Sequence, residues 1–444
     1  MRDIIHLPGT TLEGGGQLLR LATCLASLTS TPIHITSIRG NRSGGGGLKS
    51  QHLTSIQWLA KASHARVRGM GLKSKEITFE PSPHKSGVNM SLWDATGGDI
   101  TIKQTTPGSV NLILQAILPY ILFASTSTDP VRIRITGGTN VSNSPSCDYI
   151  EQVLFPMLAL IGIPPITTKL HSRGWSQGGT TLGSVTYTVT PLPSPPSPPP
   201  EPQHNDDEPS KQRSSPARAG KLPAFTLTTR GTITSIHATI LAPSAHQQAF
   251  ESHLHTVLTS SSFQASLHPE SSSSSFSSTL PDPNSTSPLP PPPIPITITS
   301  SPSHHEKRFY LLLVATTSTG IKLGHDHLFS SRLRPDTNIQ RDVIESTAEK
   351  TIQGLVREVR SGACVDEWMR DQIVVFQALA QGRSVVDGGG DREASLHART
   401  AEWVAERMLG VRFEGGGGCV GVGYRGGWGE EVDGVAEGLA RLAV

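Results

Sequence analysis

A glycine-rich stretch, GNRSGGGGLKSQHL at positions 40–53, combines residue types that could bind a phosphate group. A P-loop, however, requires a lysine directly after its last glycine, followed by Ser or Thr. Here Leu48 separates Gly47 from Lys49, so the lysine would point away from the β- and γ-phosphates of a nucleotide. The spacing therefore excludes a P-loop.

Cationic and hydrogen-bonding side chains nevertheless lie at both ends of this stretch. Arg39 and Arg42 bracket its start, and Gln51 and His52 open the helix predicted after it. Guanidinium groups suit phosphate oxygens, and a helix N-terminus favours an anion. The residues alone leave two interpretations open, an anion site or two solvated arginines beside a helix cap.

A second glycine run follows an acidic residue near the start of the chain. Glu13 precedes the glycines at positions 14–16, and Arg20 lies one turn into the helix predicted after them. The carboxylate could bind a divalent metal, or it could be a first-turn residue favoured by the helix dipole. The glycines could bring backbone amides to a phosphate, or they could simply make a turn.

Two predicted helices carry polar residues that could contact a nucleotide base. Trp368, Asp371 and Gln372 have i, i+3, i+4 spacing and can therefore face one pocket. An aromatic ring beside two hydrogen-bonding groups suits adenine, and a structural tryptophan with helix-end charges is the alternative. Gln115 interrupts the apolar run VNLILQAILPYILF, and a buried amide needs partners from a ligand or from neighbouring backbone.

One histidine stands at the start of a predicted helix. His397 precedes an apolar stripe that runs from Ala401 to Leu409 with helical spacing. A helix N-terminus disfavours imidazolium, which keeps the ring nucleophilic, and it also favours an incoming phosphate. Considered alone, one histidine among 17 is more simply a capping or surface residue.

The composition restricts the possible function classes. The net charge of +2 requires any phosphate site to be local, because no field of the whole protein attracts nucleic acid. The four cysteines have neither zinc-site nor disulfide-framework spacing. No apolar run has the length of a signal peptide or a membrane span. We therefore expect an intracellular protein without a membrane partner, with the nucleus favoured over the cytoplasm.

The order of the predicted helices and strands along the chain predicts an α+β fold. Paired helical patterns alternate with strands punctuated by double glycines, which indicates a large domain of repeated units of two helices and a four-stranded sheet. A small α+β domain is predicted to be inserted. The large domain is predicted in two parts, the first at 1–190 and the C-terminal part at 331–444. Between them, the prediction places a disordered Pro/Ser-rich linker at 191–222 and then the small domain at 223–330. The small domain itself contains a predicted disordered loop at 269–305. The proline tracts are spacers or ligands for proline-binding partners.

Several sequence blocks follow one another in an order that one protein family shares. They are EGGGQLLR (13–20), IRGNR with LKSQHL (38–53), GSVNLILQAILPYILFA (108–124), TGGTNVSNSPSCDYIEQVLFPML (136–158), CVDEWMRDQIVVFQALAQG (364–382) and SLHARTAEWVAERMLGVRF (395–413). In this order they resemble the catalytic branch of the RNA 3′-terminal phosphate cyclase family. The resemblance covers nearly the whole chain apart from the two proline-rich segments.

The resemblance implies an activity, which is ATP-dependent conversion of an RNA 3′-phosphate end into a 2′,3′-cyclic phosphate with release of AMP and pyrophosphate. It also implies a covalent adenylyl-histidine. A histidine attacks the α-phosphorus of ATP, AMP passes to the RNA 3′-phosphate, and the vicinal 2′-hydroxyl closes the ring. His397 matches the position of that nucleophile.

The matched positions imply further roles, with ATP and RNA 3′-phosphate ends as ligands and Mg²⁺ or Mn²⁺ as cofactor. The implied ATP-binding residues are Gln115, Pro145, Trp368, Asp371 and Gln372, those for phosphate or the RNA end are Arg20, Arg39, Arg42, Gln51 and His52, and the metal ligand is Glu13. ATP is expected between the segments 10–52 and 368–397.

Two alternatives to an active cyclase stay open. One is a non-catalytic relative that acts as a binding factor in ribosome biogenesis. Such relatives have lost the EGGGQ block and the histidine, both of which this chain keeps. The other is an interaction scaffold whose proline tracts recruit partners.

Overall fold

The structure of the protein is a computed structural model. The structure describes residues 3–82, 98–124, 129–177, 180–192, 221–268, 292–390 and 392–424. Residues 193–220 of the predicted linker and 269–291 of the predicted loop lie outside this described part of the chain.

The first unit is a four-stranded sheet with two helices. Its elements are β1 (Ile5–Pro8), α1 (Gln17–Thr29), β2 (Ile33–Thr36), α2 (Ser50–Ala62), β3 (Arg66–Arg68) and β4 (Ile77–Glu80). The strand order is β1-β2-β4-β3, in which β1 and β2 are parallel and the other pairs antiparallel. Because parallel neighbours need a crossover, α1 returns the chain from β1 to β2.

The second unit repeats this order. Its elements are β5 (Asp99–Lys103), α3 (Val110–Ala124), β6 (Val131–Gly137), α4 (Cys147–Tyr149), a π-helical segment (Ile150–Leu154), α5 (Phe155–Leu160), β7 (Thr167–Ser172) and β8 (Gly183–Val189). The strand order is β5-β6-β8-β7, with β5 and β6 parallel.

A fourth sheet, here called the small sheet after the predicted small domain, is inserted after the first strand of the third unit, β9 (Thr226–Leu227). Its elements are β10 (Ile233–Ala242), a 3₁₀ turn (Ser244–His246), α6 (Gln247–Leu258), α7 (Ser261–Ser266), β11 (Ile296–Pro302), β12 (Tyr310–Thr317), β13 (Lys322–Leu328), a π-helical segment (Ile339–Glu345) and α8 (Ser346–Arg360). The strand order is β11-β10-β12-β13.

The third unit is completed by the C-terminal part of the chain. It adds α9 (Glu367–Leu379), β14 (Gln381–Val386), α10 (Leu396–Leu409), β15 (Phe413–Glu414) and β16 (Gly418–Val422). The strand order is β15-β16-β14-β9, and β9 pairs in parallel with β14. The α+β class with repeated four-stranded units is therefore confirmed.

One prediction about disorder is wrong. Residues 296–302 fell in the predicted disordered loop 269–305, yet they form β11 and pair in parallel with β10 over seven positions. The proline run ends at Pro295, and the β-branched alternation of ITIT after it favours a strand. Ile296 and Ile298 pack against the core.

Two contacts bear on the predicted domain boundaries. The Thr226–Leu227 strand, inside the predicted small domain 223–330, belongs to the third sheet. Helix α8, from the predicted C-terminal part, packs against β12 and β13 of the small sheet. The extents of the domains as folding units stay a prediction.

Helix α1 lies at the centre of the large domain. It packs against α2, α3 and α10, and all of its residues are buried. Its hydroxyl groups donate to carbonyls one turn earlier, Thr23 to Leu19 and Ser27 to Thr23, which satisfies them without water. Within the described ranges, no helix combines the length and hydropathy that crossing a bilayer requires.

Candidate functional site

A pocket opens between α1, α3, α9 and the turn from the π-helical segment into α5. It encloses about 500 Å³, open mouth included. Apolar side chains such as Leu114, Leu154 and Phe376 form much of its lining. Its polar lining residues are Gln17, Arg20, Asn111, Gln115, Asp371 and Gln372. A mainly apolar cavity with a few converging polar groups is typical of a site for a small organic ligand.

Arg20 is the buried cation of this pocket. Its Nε donates to Gln115 Oε1 at 2.8 Å, and its Nη2 donates to Gln17 Oε1 at 2.6 Å. Burial lowers the pKa of Arg20 to about 10, and the charge of Asp371 opposes this. The guanidinium therefore stays charged at neutral pH. The structure thus shows the partner that the amide of Gln115 required.

Asp371 brings an unsatisfied carboxyl group to the same pocket. Within the described residues its buried Oδ1 has no hydrogen-bond partner. Burial raises the pKa of Asp371 to about 7, against the opposing charge of Arg20. A buried acceptor without a donor costs free energy, so this oxygen fits a ligand that brings a donor, such as an amino group.

The other predicted base-binding residues occupy different positions around this pocket. Gln372 lines it, and its Nε2 donates to the Trp368 carbonyl at 2.9 Å. The Trp368 side chain is half-buried against the core and is not part of the lining. The Pro145 carbonyl accepts a hydrogen bond of 2.7 Å from Asn111 Nδ2, so Pro145 adjoins the pocket through a lining residue.

A second cluster joins the two ends of the chain. Oε1 of the buried Glu13 accepts a hydrogen bond from Arg42 and lies 3.4 Å from Nε2 of His397. The side chains of Arg42 and His397 are 45% and 43% exposed, so a large ligand can reach both. The segments 10–52 and 368–397, expected to form one site, do meet here.

His397 occupies the first turn of α10. The preceding cap is Ser395, whose Oγ accepts a hydrogen bond of 3.2 Å from the Ala398 N–H. Burial lowers the pKa of His397 below 6.5, with further lowering by the charges of Arg20 and Arg42 and an opposing effect of Glu367. The imidazole is therefore neutral at neutral pH and keeps a free nitrogen lone pair.

His52 adds a neutral donor beside Arg20. Its Nδ1 accepts from the Lys49 N–H at 3.2 Å, so Nε2 carries the ring proton. Burial, together with the charges of Arg20, Arg39 and Lys49, lowers the pKa of His52 to about 3. A Cβ on Gly16 would stand 2.7 Å from His52 Nε2 and 2.8 Å from Arg20 Nη1. Glycine is required there because both donors approach its backbone.

Two predicted anion-binding residues make contacts that hold the scaffold. Arg39 Nη1 donates to the Gly47 carbonyl at 3.2 Å, which closes the glycine-rich loop. Gln51 Oε1 accepts from the Ser109 N–H at 3.1 Å and so joins α2 to the start of α3. Their roles toward an anion stay a prediction.

One buried residue that joins two parts of the site, Thr400, was not predicted from the sequence. The hydroxyl of Thr400 accepts a hydrogen bond of 3.1 Å from the Glu13 N–H and donates one of 2.7 Å to the Leu396 carbonyl. It therefore ties the loop of Glu13 to the helix of His397. The sequence pattern that could have predicted it is the i, i+3 spacing of His397 and Thr400, which places the two side chains next to each other on α10.

One carboxylate oxygen of the site could bind a divalent metal. Within the described ranges, no three His, Cys, Asp or Glu side chains are close enough to hold an ion by themselves. Glu13 Oε2 is buried and has no hydrogen-bond partner in the described part. Because Mg²⁺ is commonly held by one or two carboxylates plus substrate phosphates, this free oxygen fits a metal shared with a phosphate ligand.

Comparisons with known proteins agree on one family. The family model described as RNA 3′-terminal phosphate cyclase matches residues 11–415. A Pyrococcus furiosus protein named RNA 3′-terminal phosphate cyclase is 29% identical over 415 residues, covering 94% of this chain and 96% of the relative. A Methanosarcina mazei protein of the same name is 29% identical over 411 residues, covering 93% and 96%.

Proposed function

Because this chain belongs to the RNA 3′-terminal phosphate cyclase family, we propose that it converts RNA 3′-phosphate ends into 2′,3′-cyclic phosphates at the expense of ATP. The main support is the cluster in which His397, at a helix N-terminus, faces Glu13 and Arg42. We place the reaction inside the cell, in the nucleus in preference to the cytoplasm, on the sequence argument alone.

The pocket of Arg20, Gln115 and Asp371 takes the adenosine of ATP. The adenine ring packs against apolar side chains such as Leu114 and Phe376, and its amino group donates to the free Oδ1 of Asp371. Arg20 lines this pocket and also lowers the pKa of His397, so the nucleotide-binding pocket and the nucleophile are electrostatically connected.

The first chemical step uses the neutral imidazole of His397. Nε2, the ring nitrogen that faces Glu13 and Arg42, attacks the α-phosphorus of ATP. An N–P bond forms, the bond to the bridging oxygen of pyrophosphate breaks, and pyrophosphate leaves. Arg42 and the Nε2–H of His52 stabilise the charge on the transferring phosphoryl group. A Mg²⁺ or Mn²⁺ ion bound by Glu13 would neutralise the leaving group.

Two further steps complete the cycle. An oxygen of the RNA 3′-phosphate attacks the phosphorus of the adenylyl group, which releases His397 and forms an RNA–phosphate–AMP anhydride. The vicinal 2′-hydroxyl then attacks the terminal RNA phosphorus, AMP leaves, and the hydroxyl proton passes to solvent or a nearby base. The RNA end therefore approaches from the exposed side of Arg42 and His397.

The test is covalent labelling of the protein. Wild type, His397→Ala and the surface control His255→Ala are incubated with α-³²P-labelled ATP and Mg²⁺ or Mn²⁺, then denatured. We expect label on wild type and control that acid removes and alkali leaves, as for a phosphoramidate, and none on His397→Ala. RNA with a 3′-phosphate should then become resistant to phosphatase.

Two results would overturn the proposal. Label on His397→Ala equal to wild type would place the nucleophile elsewhere. No label on a folded wild type, as judged by circular dichroism, would leave a non-catalytic binding factor as the function.

A further inference from the structure

Positive charge is concentrated in the first unit. Residues 38–82 contain eight lysines and arginines against two glutamates, whereas the net charge of the whole chain is only +2. This segment includes the loop 39–49, here called the arginine loop, which leads to the candidate site through Arg42. It also includes residues 68–75, which run from the last residue of β3 towards β4 and are here called the lysine loop.

The two loops are joined by backbone hydrogen bonds. The Leu48 N–H donates to the Ser74 carbonyl at 3.0 Å, and the Lys73 N–H donates back to Leu48 at 2.9 Å. Gly47 has φ +76°, and a Cβ there would lie 2.4 Å from the Lys73 carbonyl. The lysine loop is therefore held against the arginine loop, and Arg42 and Glu13 continue the connection to His397.

Several cations of this surface have no acidic partner. In the described part of the chain, Arg39, Lys49, Arg68, Lys73 and Lys75 have no carboxylate within ion-pair distance. Burial and the neighbouring charges of Arg39 and Arg42 lower the pKa of Lys49, which shows that these cations repel one another. A bound polyanion would relieve this repulsion.

Apolar side chains project among these charges. Met70 is 39% exposed and Leu72 is 62% exposed, and both lie on the lysine loop between Arg68 and Lys73. Basic groups on both sides of exposed apolar ones suit single-stranded nucleic acid, because cations bind its phosphates and its unstacked bases are free to contact side chains between them. The basic surface ends at Glu76, whose side chain is 72% exposed and whose Oε2 lies 3.9 Å from Nε2 of His34.

We infer that the nucleotides upstream of the reactive 3′ end of a single-stranded RNA lie along the arginine loop and the lysine loop. Lys73, Lys75 and Arg68 contact phosphates, while Met70 and Leu72 contact bases. The inference rests on the proposed function, because the direction of the strand follows from its 3′ end lying at His397. The surface therefore favours longer RNA over a dinucleotide.

The test compares two substrates and two readouts. The variant Arg68→Ser/Lys73→Ser/Lys75→Ser, and separately Met70→Ser/Leu72→Ser, are assayed with a dinucleotide 3′-phosphate and with an unstructured ten-nucleotide RNA 3′-phosphate. The matched control removes three exposed cations of the second unit, Lys103→Ser/Arg132→Ser/Lys169→Ser. Fluorescence anisotropy of the ten-nucleotide RNA gives Kd without any need for turnover.

We expect the charge variant to bind the ten-nucleotide RNA about tenfold or more weakly and to raise its KM, with kcat and the dinucleotide KM unchanged. The slope of log K against log salt should become shallower by about 2, since each phosphate contact to a single strand contributes about 0.7. The apolar variant should weaken binding without changing this slope, and the control should match wild type.

The outcomes separate the two proposals. Adenylylation without RNA reports the proposed function and should be the same in all variants, which also shows that they fold. Unchanged Kd and KM for the ten-nucleotide RNA in the charge variant would overturn the inference while leaving the cyclase intact. An equal loss with the dinucleotide would also overturn it, because the surface would then act only on the reactive end.

Discussion

At the residue scale, the environment of one carboxylate sets the chemistry of the site. Glu13 is buried, contacts Arg42 and His397 through Oε1, and keeps Oε2 without a partner in the described part. Burial and the nearby arginines keep His397 neutral, which a nucleophile for phosphorus requires. Asp371 likewise keeps a buried oxygen free for a donor. Both oxygens can therefore accept a bond from a ligand.

The pH dependence of adenylylation follows from the lowered pKa of His397. Only the neutral ring attacks, so the rate should be at its plateau at neutral pH and decline only below the ordinary histidine pKa of 6.5. Arg42→Gln removes a charge that lowers this pKa, so the acid limb of the profile should move to higher pH. Single-turnover labelling across pH, with NMR titration of His397, measures this. Arg132→Gln is the control, and an unmoved or lower midpoint in Arg42→Gln would contradict the argument.

At the element scale, the site depends on how α10 meets the glycine-rich turn before α1. These elements pack together in the core, and Thr400 supplies the hydrogen bond between them across 387 sequence positions. Because the Thr400 hydroxyl both accepts from Glu13 and donates to Leu396, its rotamer is held in one orientation. The separation of Glu13 from His397 thus depends on a residue that contacts Glu13 through its backbone N–H and not through its carboxylate.

Replacement of Thr400 tests whether its hydrogen bond to Glu13 positions Glu13 relative to His397. Thr400→Val keeps the shape but leaves the buried Glu13 N–H unpaired, which costs about 1–3 kcal/mol. Adenylylation should slow by about tenfold, equivalent to about 1.4 kcal/mol in the barrier. Thr400→Ser keeps the hydroxyl and should restore most of the rate. A Thr400→Val enzyme that only melts earlier, with an unchanged rate at low temperature, would show a purely structural role.

At the scale of the whole molecule, the cluster of Glu13, Arg42 and His397 forms where the first and third units meet, and the second unit adds α3 and α5 to the adjoining pocket. The third unit is built from β9 and from the C-terminal segment, between which the small sheet is inserted. The contact between His397 and Glu13 therefore requires that the first and third units pack together. The proline-rich segments at 193–220 and 269–291 lie outside the described residues.

The spacer interpretation predicts that the composition of these segments is unimportant for turnover. Replacing both with Gly-Ser repeats of equal length should leave adenylylation and RNA cyclisation within about twofold of wild type, because equal length preserves the reach of the chain. Steady-state kinetics of the purified proteins check this. A loss of turnover well beyond twofold would show that the tracts take part in the reaction or in folding.

Much of the fold was readable from local pattern. The helices predicted after the two glycine runs, around Gln115, around Trp368 and after His397 are present as α1, α2, α3, α9 and α10, since apolar spacing near 3.6 residues is a property of each segment alone. The strand at 296–302 was missed because it follows a proline run whose composition dominated the interpretation. The family resemblance implies an anion-binding role for Gln51 and Arg39, and only the structure shows their contacts to Ser109 and Gly47.

The sequence by itself determined the chemistry that is available: a histidine at a helix start, arginines around glycines, and an ordered set of blocks that resemble one family. The tertiary structure decided which of these groups meet. It places Glu13 against His397 and Arg42 and joins the two basic loops, and among the described residues it gives Glu13 Oε2 and Asp371 Oδ1 no hydrogen-bond partner. The physical reason is that helix and strand periodicity encodes contacts a few residues apart, whereas these contacts arise only when distant segments pack.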